Sequence, residues 1–319
     1  MKLLTVAEAA KYANVSEPTI RRRIEAGELD GVKDGTLLKV RLTDLERVFP
    51  SPNRVPVPTR PCRVLAISNQ KGGVGKTSTA VNLAAALAQQ SRVLAIDCDP
   101  QGNMTQAFGV NADALDMTTY NILDEPARAS WAILKPIDTL PNLSLIGANL
   151  ELAAADVKLA SAVMRETRLR QAIEPLGAGF DFIVLDCPPS LGLPTINALM
   201  AATEVIIPVS PGKFSLAGVR NLFDSIGEVR KFNTALAAPK ALRNAWDTTN
   251  AASAVSESLE KAFGKDLLTT IIPRSVKVTE AQMQDSPILL YLETLPPSAR
   301  QSDRAGAAYL ALAEEVRHG

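Results

Sequence analysis

Short apolar runs alternate with longer helix-forming segments from Arg63 onward. The apolar runs are rich in Val, Ile and Leu, which predicts β-strands, and the longer Ala- and Leu-rich segments predict helices. Strands are predicted at residues 63–68, 91–97, 143–146, 182–185, 205–209 and 267–272, a long helix at residues 77–89 and a helical stretch at residues 150–174. Buried strands that alternate with helices favour an α/β fold with a doubly wound, mostly parallel sheet. Ligands of such sheets bind at the carboxyl ends of the strands.

A different pattern fills residues 1–49 and predicts a small separate domain. Thr5 is the expected N-cap of a helix at residues 6–12, a turn follows at 14–16, and a second helix is expected at 17–26. Two short helices joined by a tight turn are typical of a helix-turn-helix, whose second helix enters the major groove of DNA. The side chains of the second helix that are expected to be exposed and to bind DNA are Thr19, Arg21, Arg22 and Arg23.

A two-stranded hairpin is predicted at residues 31–40, with Asp34 and Gly35 at its turn, and a short helix at 43–49. This hairpin would form a wing beside the second helix. The run of three arginines also fits a simpler interpretation, the solvated face of a dimerisation module. Because arginine binds phosphate as readily as base edges, the arginines alone do not establish sequence-specific binding.

The run PSPNRVPVPTRP at residues 50–61 has a proline at every second to fourth position. Such a segment cannot continue a helix or join the interior of a sheet, so it predicts a semi-rigid, extended spacer. The sequence therefore predicts three parts: a DNA-binding domain at 1–49, a linker at 50–61 and a larger α/β domain at 62–319.

Composition restricts the kinds of function that this chain can have. With 34 basic and 34 acidic residues the formal net charge is zero, so DNA binding must rest on local basic patches. The three cysteines, Cys62, Cys98 and Cys187, lack metal-ligand spacing, which favours a reducing compartment and argues against an iron–sulfur cluster. No run approaches the ~20 apolar residues of a membrane span, and the first residues do not fit a signal peptide. We expect a cytoplasmic protein.

Residues 67–78, ISNQKGGVGKTS, join the first predicted strand of the large domain to its first helix. The three glycines of this loop let backbone N–H groups converge on a phosphate at the positive end of the helix. Lys76 would reach the β- and γ-phosphates, and the Thr77 hydroxyl would bind Mg²⁺. The predicted nucleotide-binding residues of the loop are Lys71, Gly72, Gly73, Val74, Gly75, Lys76, Thr77 and Ser78.

One position separates this loop from the general phosphate-binding pattern. That pattern places a glycine six residues before Lys76, where this chain has Gln70, and here a second lysine, Lys71, opens the loop. The stretch resembles the deviant Walker A motif, KGGxGKT, of the ParA/MinD ATPases. The resemblance implies that Lys71 reaches across a dimer in which two nucleotides are sandwiched.

Two further stretches resemble motifs of the same family. Residues 97–103, DCDPQGN, resemble its switch I motif, which implies that Asp99 orients the attacking water and that Asp97 supports either the Mg²⁺ shell or the loop. Residues 186–190, DCPPS, resemble its Walker B and switch II motif, which implies that Asp186 holds a magnesium-bound water. The resemblance thus gives Lys71, Lys76 and Asp99 as catalytic residues, and Thr77, Asp99 and Asp186 as metal-site residues.

The resemblance continues in the last third of the chain. Residues 272–281, IPRSVKVTEA, are similar to a ParA segment that binds DNA without sequence preference, which implies this role for Arg274 and Lys277. Residues 233–250 depart from the family, because the expected strand there is short and interrupted by Pro239. Asn244, just beyond Leu242, is still expected to meet the adenine edge of the nucleotide.

The first domain resembles the MerR/excisionase-like winged helix-turn-helix family through residues 4–45. The two resemblances together imply a ParA-like partition ATPase that forms an ATP-dependent homodimer on non-specific DNA. A ParB-like centromere-binding partner would stimulate hydrolysis and release the nucleoid-associated dimer, and the first domain would bind the operator of its own operon. An ATP-responsive transcriptional regulator and a cargo-positioning ATPase remain alternatives. A MinD-like membrane protein is disfavoured, because residues 307–319 do not form a basic amphipathic helix.

Overall fold

A computed structural model describes residues 3–13, 17–34, 37–41, 44–45, 61–211 and 216–319 of the protein. The chain divides into two compact units, Met1–Val57 and Pro58–Gly319. Within the described residues, no helix is long and apolar enough to cross a membrane.

The first unit combines two helices with a small antiparallel sheet. Its elements are β1 (Leu3–Thr5), α1 (Val6–Ala13), α2 (Glu17–Glu25), β2 (Gly31–Asp34) and β3 (Leu37–Arg41), and both β1 and β2 pair with β3. Thr5 caps α1 as predicted: the Glu8 N–H donates to the Thr5 hydroxyl (3.2 Å), and the Thr5 N–H donates to the Glu8 carboxylate (2.8 Å). This reciprocal pair is a capping box. Ile20 of α2 and Val40 of β3 are fully buried in the small core.

Some predictions for the first unit fall outside the described residues. These are the turn at 14–16, Gly35 of the hairpin, most of the helix at 43–49, and the linker up to residue 60. The other predictions agree with the observed elements, and no end differs by more than one residue. They are the helices at 6–12 and 17–26 and the hairpin at 31–40.

The second unit is built on a seven-stranded sheet with the order β10-β9-β8-β4-β7-β5-β6, in which every pairing is parallel. Its strands are β4 (Arg63–Ile67), β5 (Val93–Asp97), β6 (Leu143–Ile146), β7 (Phe182–Asp186), β8 (Glu204–Val209), β9 (Lys240–Trp246) and β10 (Leu267–Pro273). Its α-helices are α3 (Lys76–Leu87), α4 (Asn103–Ala107), α5 (Thr119–Asp124), α6 (Ala155–Lys158), α7 (Arg168–Ile173), α8 (Leu193–Ala201), α9 (Leu216–Arg230), α10 (Asn250–Phe263), α11 (Val276–Met283), α12 (Ile288–Glu293), α13 (Pro297–Ser302) and α14 (Ala305–His318).

Side chains of the central strand β4 alternate between two apolar cores. Val64 and Ala66 belong to one core, whereas Leu65 and Ile67 belong to the other. Successive side chains of a strand point to opposite faces, so a strand that is apolar throughout needs cover on both faces. Helices supply that cover, and the predicted doubly wound α/β fold is confirmed.

The helical stretch predicted at 150–174, between β6 and β7, is not one continuous helix. It consists of 3₁₀ turns at Leu150–Ala154, Arg165–Thr167 and Glu174–Gly179, with the short helices α6 and α7 between them. The Asn197 amide of α8 donates to the Arg165 carbonyl (2.8 Å), and its oxygen accepts from the Leu169 N–H (3.0 Å). Met164, just before these contacts, has a positive φ of 52° that no helix allows. In this segment, hydrogen bonds to α8 therefore take the place of the hydrogen bonds of a continuous helix.

The expectation of a short, interrupted strand near Pro239 was wrong. Pro239 lies directly before β9, which then runs without a break for seven residues. A proline at the start of a strand removes no hydrogen bond from the ladder, so it marks where the strand begins. Asn244 lies inside this strand.

The edge strand β10 is covered by a carboxylate of the last helix. Glu315 of α14 accepts hydrogen bonds from the N–H groups of Thr269 (2.7 Å) and Thr270 (2.9 Å) and from the Thr269 hydroxyl (2.9 Å). Unpaired N–H groups of an edge strand are a template for pairing with another chain. Glu315 occupies two of them and also fixes α14 against the sheet.

Replacing Glu315 by alanine should lower the free energy of unfolding by about 1–3 kcal/mol, because two backbone donors lose a charged acceptor. Guanidinium unfolding followed by tryptophan fluorescence measures this change. Glu314→Ala is the matched control, since Glu314 pairs with Arg317 and His318 on the surface, and should cost less than about 0.5 kcal/mol. Equal losses in the two variants would contradict the assigned role of Glu315.

Candidate functional site

Three neighbouring strands bring the predicted chemical groups to one edge of the sheet. In the parallel register, Asp186 at the end of β7 lies opposite Ile67 at the end of β4 and opposite Asp97 at the end of β5. The pairing continues one residue further, because the Cys98 N–H donates to the Asp186 carbonyl (2.9 Å) and the Cys187 N–H to the Ile67 carbonyl (3.2 Å). The glycine loop and both aspartate motifs therefore start from adjacent points.

The loop after β4 is held by Asn69. The Asn69 amide donates to the Pro208 carbonyl (2.8 Å), and its oxygen accepts from the Lys71 N–H (3.0 Å). Gly73 and Gly75 have φ values of 72° and 86°, in the region that favours glycine. Helix α3 begins directly after Gly75, so its free N–H groups face the loop and make it an anion-binding site.

The two lysines of the loop differ in their surroundings. Lys76 is buried, and its Nζ donates to the Lys71 carbonyl (3.1 Å). Burial lowers the pKa of Lys76, while the charges of Asp186 and Asp99 act in the opposite direction. The Lys71 side chain is exposed. One cation thus faces the inside of the site, and the other is accessible from outside the subunit.

Asp97 holds the loop that follows β5. One carboxylate oxygen accepts from the Asp99 N–H (3.1 Å), and the other accepts from the Thr105 N–H (2.9 Å) and hydroxyl (2.7 Å). Burial raises the pKa of Asp97 to about 6, although these hydrogen bonds lower it. Of the two roles considered for Asp97, its contacts favour support of the loop. Asp99 is also buried and accepts from the Gln101 N–H (2.9 Å).

Asp186 is fully buried, and neither of its carboxylate oxygens has a hydrogen-bond partner among the described residues. Burial and the charge of Asp97 raise its pKa well above the ordinary value, whereas the nearby Thr77 hydroxyl and Lys76 lower it. A buried carboxylate without a partner needs an external donor or cation. A water bound to Mg²⁺ satisfies this need, so Asp186 and Thr77 fit a magnesium ion.

Protein ligands alone do not form a metal site here. In the described part of the chain, no group of three or more His, Cys, Asp or Glu side chains could hold a metal ion. Mg²⁺ typically uses few protein ligands together with substrate phosphates and water. Burial raises the pKa values of the Cys98 and Cys187 thiols, so both behave as small apolar side chains and do not favour cluster chemistry.

A cavity of about 700 Å³ lies beside the loop. Its walls come from the loop, the end of β9 and the segment from β10 into α11; they include Gly73, Val74, Gly75, Ser78, Asn244, Ala245, Pro273, Arg274, Val276, Val278, Thr279 and Gln282. The Asn244 amide donates to the Val74 carbonyl (2.8 Å), and Asn244 itself is buried. Asn244 thus joins β9 to the loop at the wall of this cavity.

Sequence reasoning missed several residues of this site. Asn69, which locks the loop, and Gln282, whose amide donates to the Ser78 hydroxyl, lie outside the positions singled out in the sequence. Gln282 stands in α11, more than two hundred positions from Ser78, so no local pattern could indicate the contact. The role of Asn69 could have been predicted from the sequence, because an Asn at the end of a strand often caps the following turn.

The predicted DNA-binding side chains of α2 fall into two pairs. Arg21 and Arg22 are exposed, as expected, whereas Thr19 and Arg23 are only half-exposed. Arg23 forms an ion pair with Glu28 in the turn after the helix. The surface that α2 offers to a phosphate or a base edge is therefore narrower than the run of three arginines suggests.

The two cations predicted near α11 also differ. Arg274 is exposed and lies at the rim of the 700 Å³ cavity. Lys277 pairs with Glu280 (2.7 Å), whose carboxylate also accepts from the Tyr291 hydroxyl (2.8 Å). The Glu280 contact raises the pKa of Lys277. Both side chains lie at the surface, but Lys277 already has an anionic partner.

A parallel sheet with a glycine-rich, lysine-containing loop between its central strand and a helix defines a P-loop nucleoside-triphosphate-binding protein. Residues 62–238 match the family model described as an AAA domain, and residues 3–49 match a helix-turn-helix domain. The chain is 41% identical over 257 residues to the sporulation initiation inhibitor protein Soj of Bacillus subtilis, covering 80% of this chain and 98% of Soj. It belongs to the ParA/Soj family of partition ATPases and carries an additional N-terminal helix-turn-helix domain.

One further relative agrees with this assignment, and a solved structure of a differently named protein is similar in fold. The chromosome partitioning protein ParA of Caulobacter vibrioides is 39% identical over 261 residues, which covers 80% of this chain and 94% of that protein. Among solved structures, cobyrinic acid a,c-diamide synthase from Mycobacterium smegmatis, with bound ADP and magnesium, is similar with a TM-score of 0.67. It is 31% identical, over 81% of this chain and 95% of that one.

Alanine substitutions at three loop glycines should have graded effects. A side chain at Gly75 would drive its Cβ into the Asn244 amide nitrogen at a φ of 86°, so Gly75→Ala should cost more than about 3 kcal/mol. At Gly73 only the positive φ opposes a side chain, which predicts a cost of about 1–2 kcal/mol. Thermal unfolding with calorimetry measures the series.

Gly72 is the matched control, since no atom lies within 4 Å of the position that a Cβ would occupy and its φ is not positive. Gly72→Ala should leave the melting temperature unchanged or slightly higher. A melting temperature of Gly75→Ala equal to that of Gly72→Ala would contradict the close approach of Asn244.

Proposed function

We propose that this protein is a DNA-partition ATPase that hydrolyses ATP to ADP and phosphate with Mg²⁺, dimerises when ATP is bound and binds non-specific DNA as the dimer. The observation that carries this proposal is the pair of loop lysines, one buried in the site and one exposed beside it. A single subunit needs only the buried lysine to bind phosphate. The exposed lysine would contact the nucleotide of a second subunit that faces the first.

Nucleotide binding follows from the loop and the adjoining cavity. The N–H groups from Gly72 to Ser78 and the Lys76 ammonium would hold the phosphates, and Asn244 would face the base. Support comes from the orphaned Asp186 carboxylate, which suits a magnesium-bound water, and from the similar Mycobacterium smegmatis protein with bound ADP and magnesium. Thr77 would be the direct protein ligand of Mg²⁺, with Asp99 and Asp186 binding through water.

Hydrolysis requires positioning and charge neutralisation more than covalent chemistry. Asp99, fixed by the loop that Asp97 holds, would orient the attacking water and accept its proton. Lys76 from the same subunit and Lys71 from the partner would stabilise the charge that develops on the phosphoryl oxygens. Mg²⁺, when bound, neutralises part of the same charge. Because Lys71 would act in trans, loss of the γ-phosphate should loosen the dimer.

DNA binding would use two separate surfaces. Arg274 and Lys277 would contact phosphates without sequence preference, which needs only exposed cations. Arg21 and Arg22 on α2 would bind the operator of the protein's own operon. A ParB-like centromere-binding protein would stimulate hydrolysis and so release the dimer from the nucleoid.

The exposed arginines of α2 favour a second candidate function, an ATP-responsive transcriptional regulator in which the ATPase acts as a ligand sensor. A cargo-positioning ATPase has the same site chemistry, since the partner chooses the cargo. Footprinting on the DNA upstream of the gene, with and without ATP and the neighbouring gene product, separates partition with autorepression from regulation alone.

Lys71→Ala should leave ATP binding within about threefold of the unmodified protein but abolish ATP-dependent dimerisation, because the exposed lysine would contact the nucleotide only across the dimer. Isothermal titration measures the binding, and sedimentation with Mg²⁺ and ATP measures the dimer. Lys265→Ala is the matched control, an exposed lysine in the turn that precedes β10. An undisturbed dimer in Lys71→Ala would refute the trans assignment.

Arg22→Ala should weaken binding to the operator about tenfold or more and leave ATP turnover unchanged, because Arg22 lies exposed on α2 of the first unit. Electrophoretic mobility shifts with operator and unrelated DNA measure the two affinities. Glu25→Ala, an exposed change at the end of the same helix, should not weaken operator binding. Equal damage by Arg22→Ala to operator binding and ATP turnover would indicate a structural role.

A further inference from the structure

A hydrogen bond joins the start of α3 to the end of α11. The Gln282 side-chain amide donates to the Ser78 hydroxyl. Both side chains line the 700 Å³ cavity beside the loop and also a second cavity of about 320 Å³ on the side of Thr77, Asn103 and Gln106. The contact therefore stands between two cavities, at the first turn of the phosphate-binding helix.

The backbone of Ser78 is fixed independently of Gln282. The Asn82 amide donates to the Ser78 carbonyl (2.8 Å), and the Asn82 oxygen accepts from the Ile288 N–H (2.7 Å). Asn82 is 3% exposed, so these bonds are shielded from water. With the backbone held, the contacts of the Ser78 side chain determine where its hydroxyl proton points.

A serine hydroxyl has one proton to donate and two lone pairs that accept. When the Gln282 amide donates to it, one lone pair is used and the proton must be directed elsewhere. We propose that Gln282 is a positioning residue that turns the Ser78 hydroxyl into a donor toward the phosphates of the bound nucleotide. This inference rests on the proposed nucleotide binding and adds the residue that orients one of its donors.

The chemistry of the side chain at position 282 then decides the polarity of the contact. Methionine has a similar shape and no donor, so Gln282→Met removes the hydrogen bond to the Ser78 hydroxyl without reversing its direction. Glutamate has a similar shape but only accepts, so Gln282→Glu makes Ser78 donate to the carboxylate and turns its lone pairs toward the phosphates. Gln282→Glu should weaken nucleotide binding more than Gln282→Met, because a phosphate then meets a hydroxyl lone pair in place of a donated proton.

Titration of the full-length protein with ADP and magnesium chloride, followed by calorimetry, tests this inference. Relative to the unmodified chain, Gln282→Met should weaken ADP binding about threefold and Gln282→Glu about tenfold, the range of one lost and one reversed hydrogen bond to a charged group. The matched control is Gln284→Glu, which places the same charge two positions along on an exposed residue that lines neither cavity. It should change the affinity less than twofold.

A double-mutant cycle separates action through Ser78 from direct repulsion of the phosphates. In the Ser78→Ala background, Gln282→Glu should have no more effect than Gln284→Glu. A tenfold loss that persists in Ser78→Ala, or an affinity of Gln282→Met equal to that of the unmodified protein, would overturn the inference. Without nucleotide, the melting temperatures of all the position-282 variants should match the unmodified protein, and a lowered value would indicate a merely structural contact.

The outcomes also distinguish this inference from the function on which it rests. If the unmodified protein does not bind ADP with Mg²⁺, the proposed nucleotide binding fails. If it binds and Gln282→Glu binds equally well, only the role of Gln282 fails.

Discussion

The parallel register of β5, β7 and β4 is the constraint on which the site depends. It sets Asp97, Asp186 and Ile67 side by side, so that three loops leave the sheet from adjacent positions. Each strand is buried on both faces, and a shift of one residue would turn every side chain to the opposite core. The apolar packing that fixes the fold therefore also fixes the relative positions of the glycine loop and the two aspartates.

Burial of charge accompanies this arrangement. Asp97, Asp99, Asp186 and Lys76 lie within one buried cluster, and burial raises the pKa values of Asp97 and Asp186. Asp97 is stabilised by hydrogen bonds from Thr105, whereas Asp186 has no such partner among the described residues. The carboxylate next to the loop after β5 therefore has its hydrogen bonds satisfied within the protein. The carboxylate that faces the phosphate-binding loop does not, and a cation would act there.

Local patterns predicted the parts of the site that depend on neighbouring residues in the chain. Strand, glycine loop and helix occur in immediate succession, so the positions of Lys76 and Thr77 could be predicted, and Asp186 could be predicted from its place at the end of a buried strand. Contacts between distant segments could not be predicted. Asn197 contacts the backbone of Arg165 and Leu169, and Gln282 contacts Ser78, because folding brings together residues whose types carry no mutual signal.

Helix α11 carries groups that face both the nucleotide cavity and the proposed DNA surface. Gln282 near its end contacts Ser78 of the phosphate-binding helix, and Lys277 in its first turn pairs with Glu280. A DNA phosphate at Lys277 must displace a carboxylate that Tyr291 also holds, so the net gain from this lysine is smaller than that from an unpaired surface cation. Arg274, exposed at the cavity rim, should therefore contribute more of the non-specific DNA affinity than Lys277.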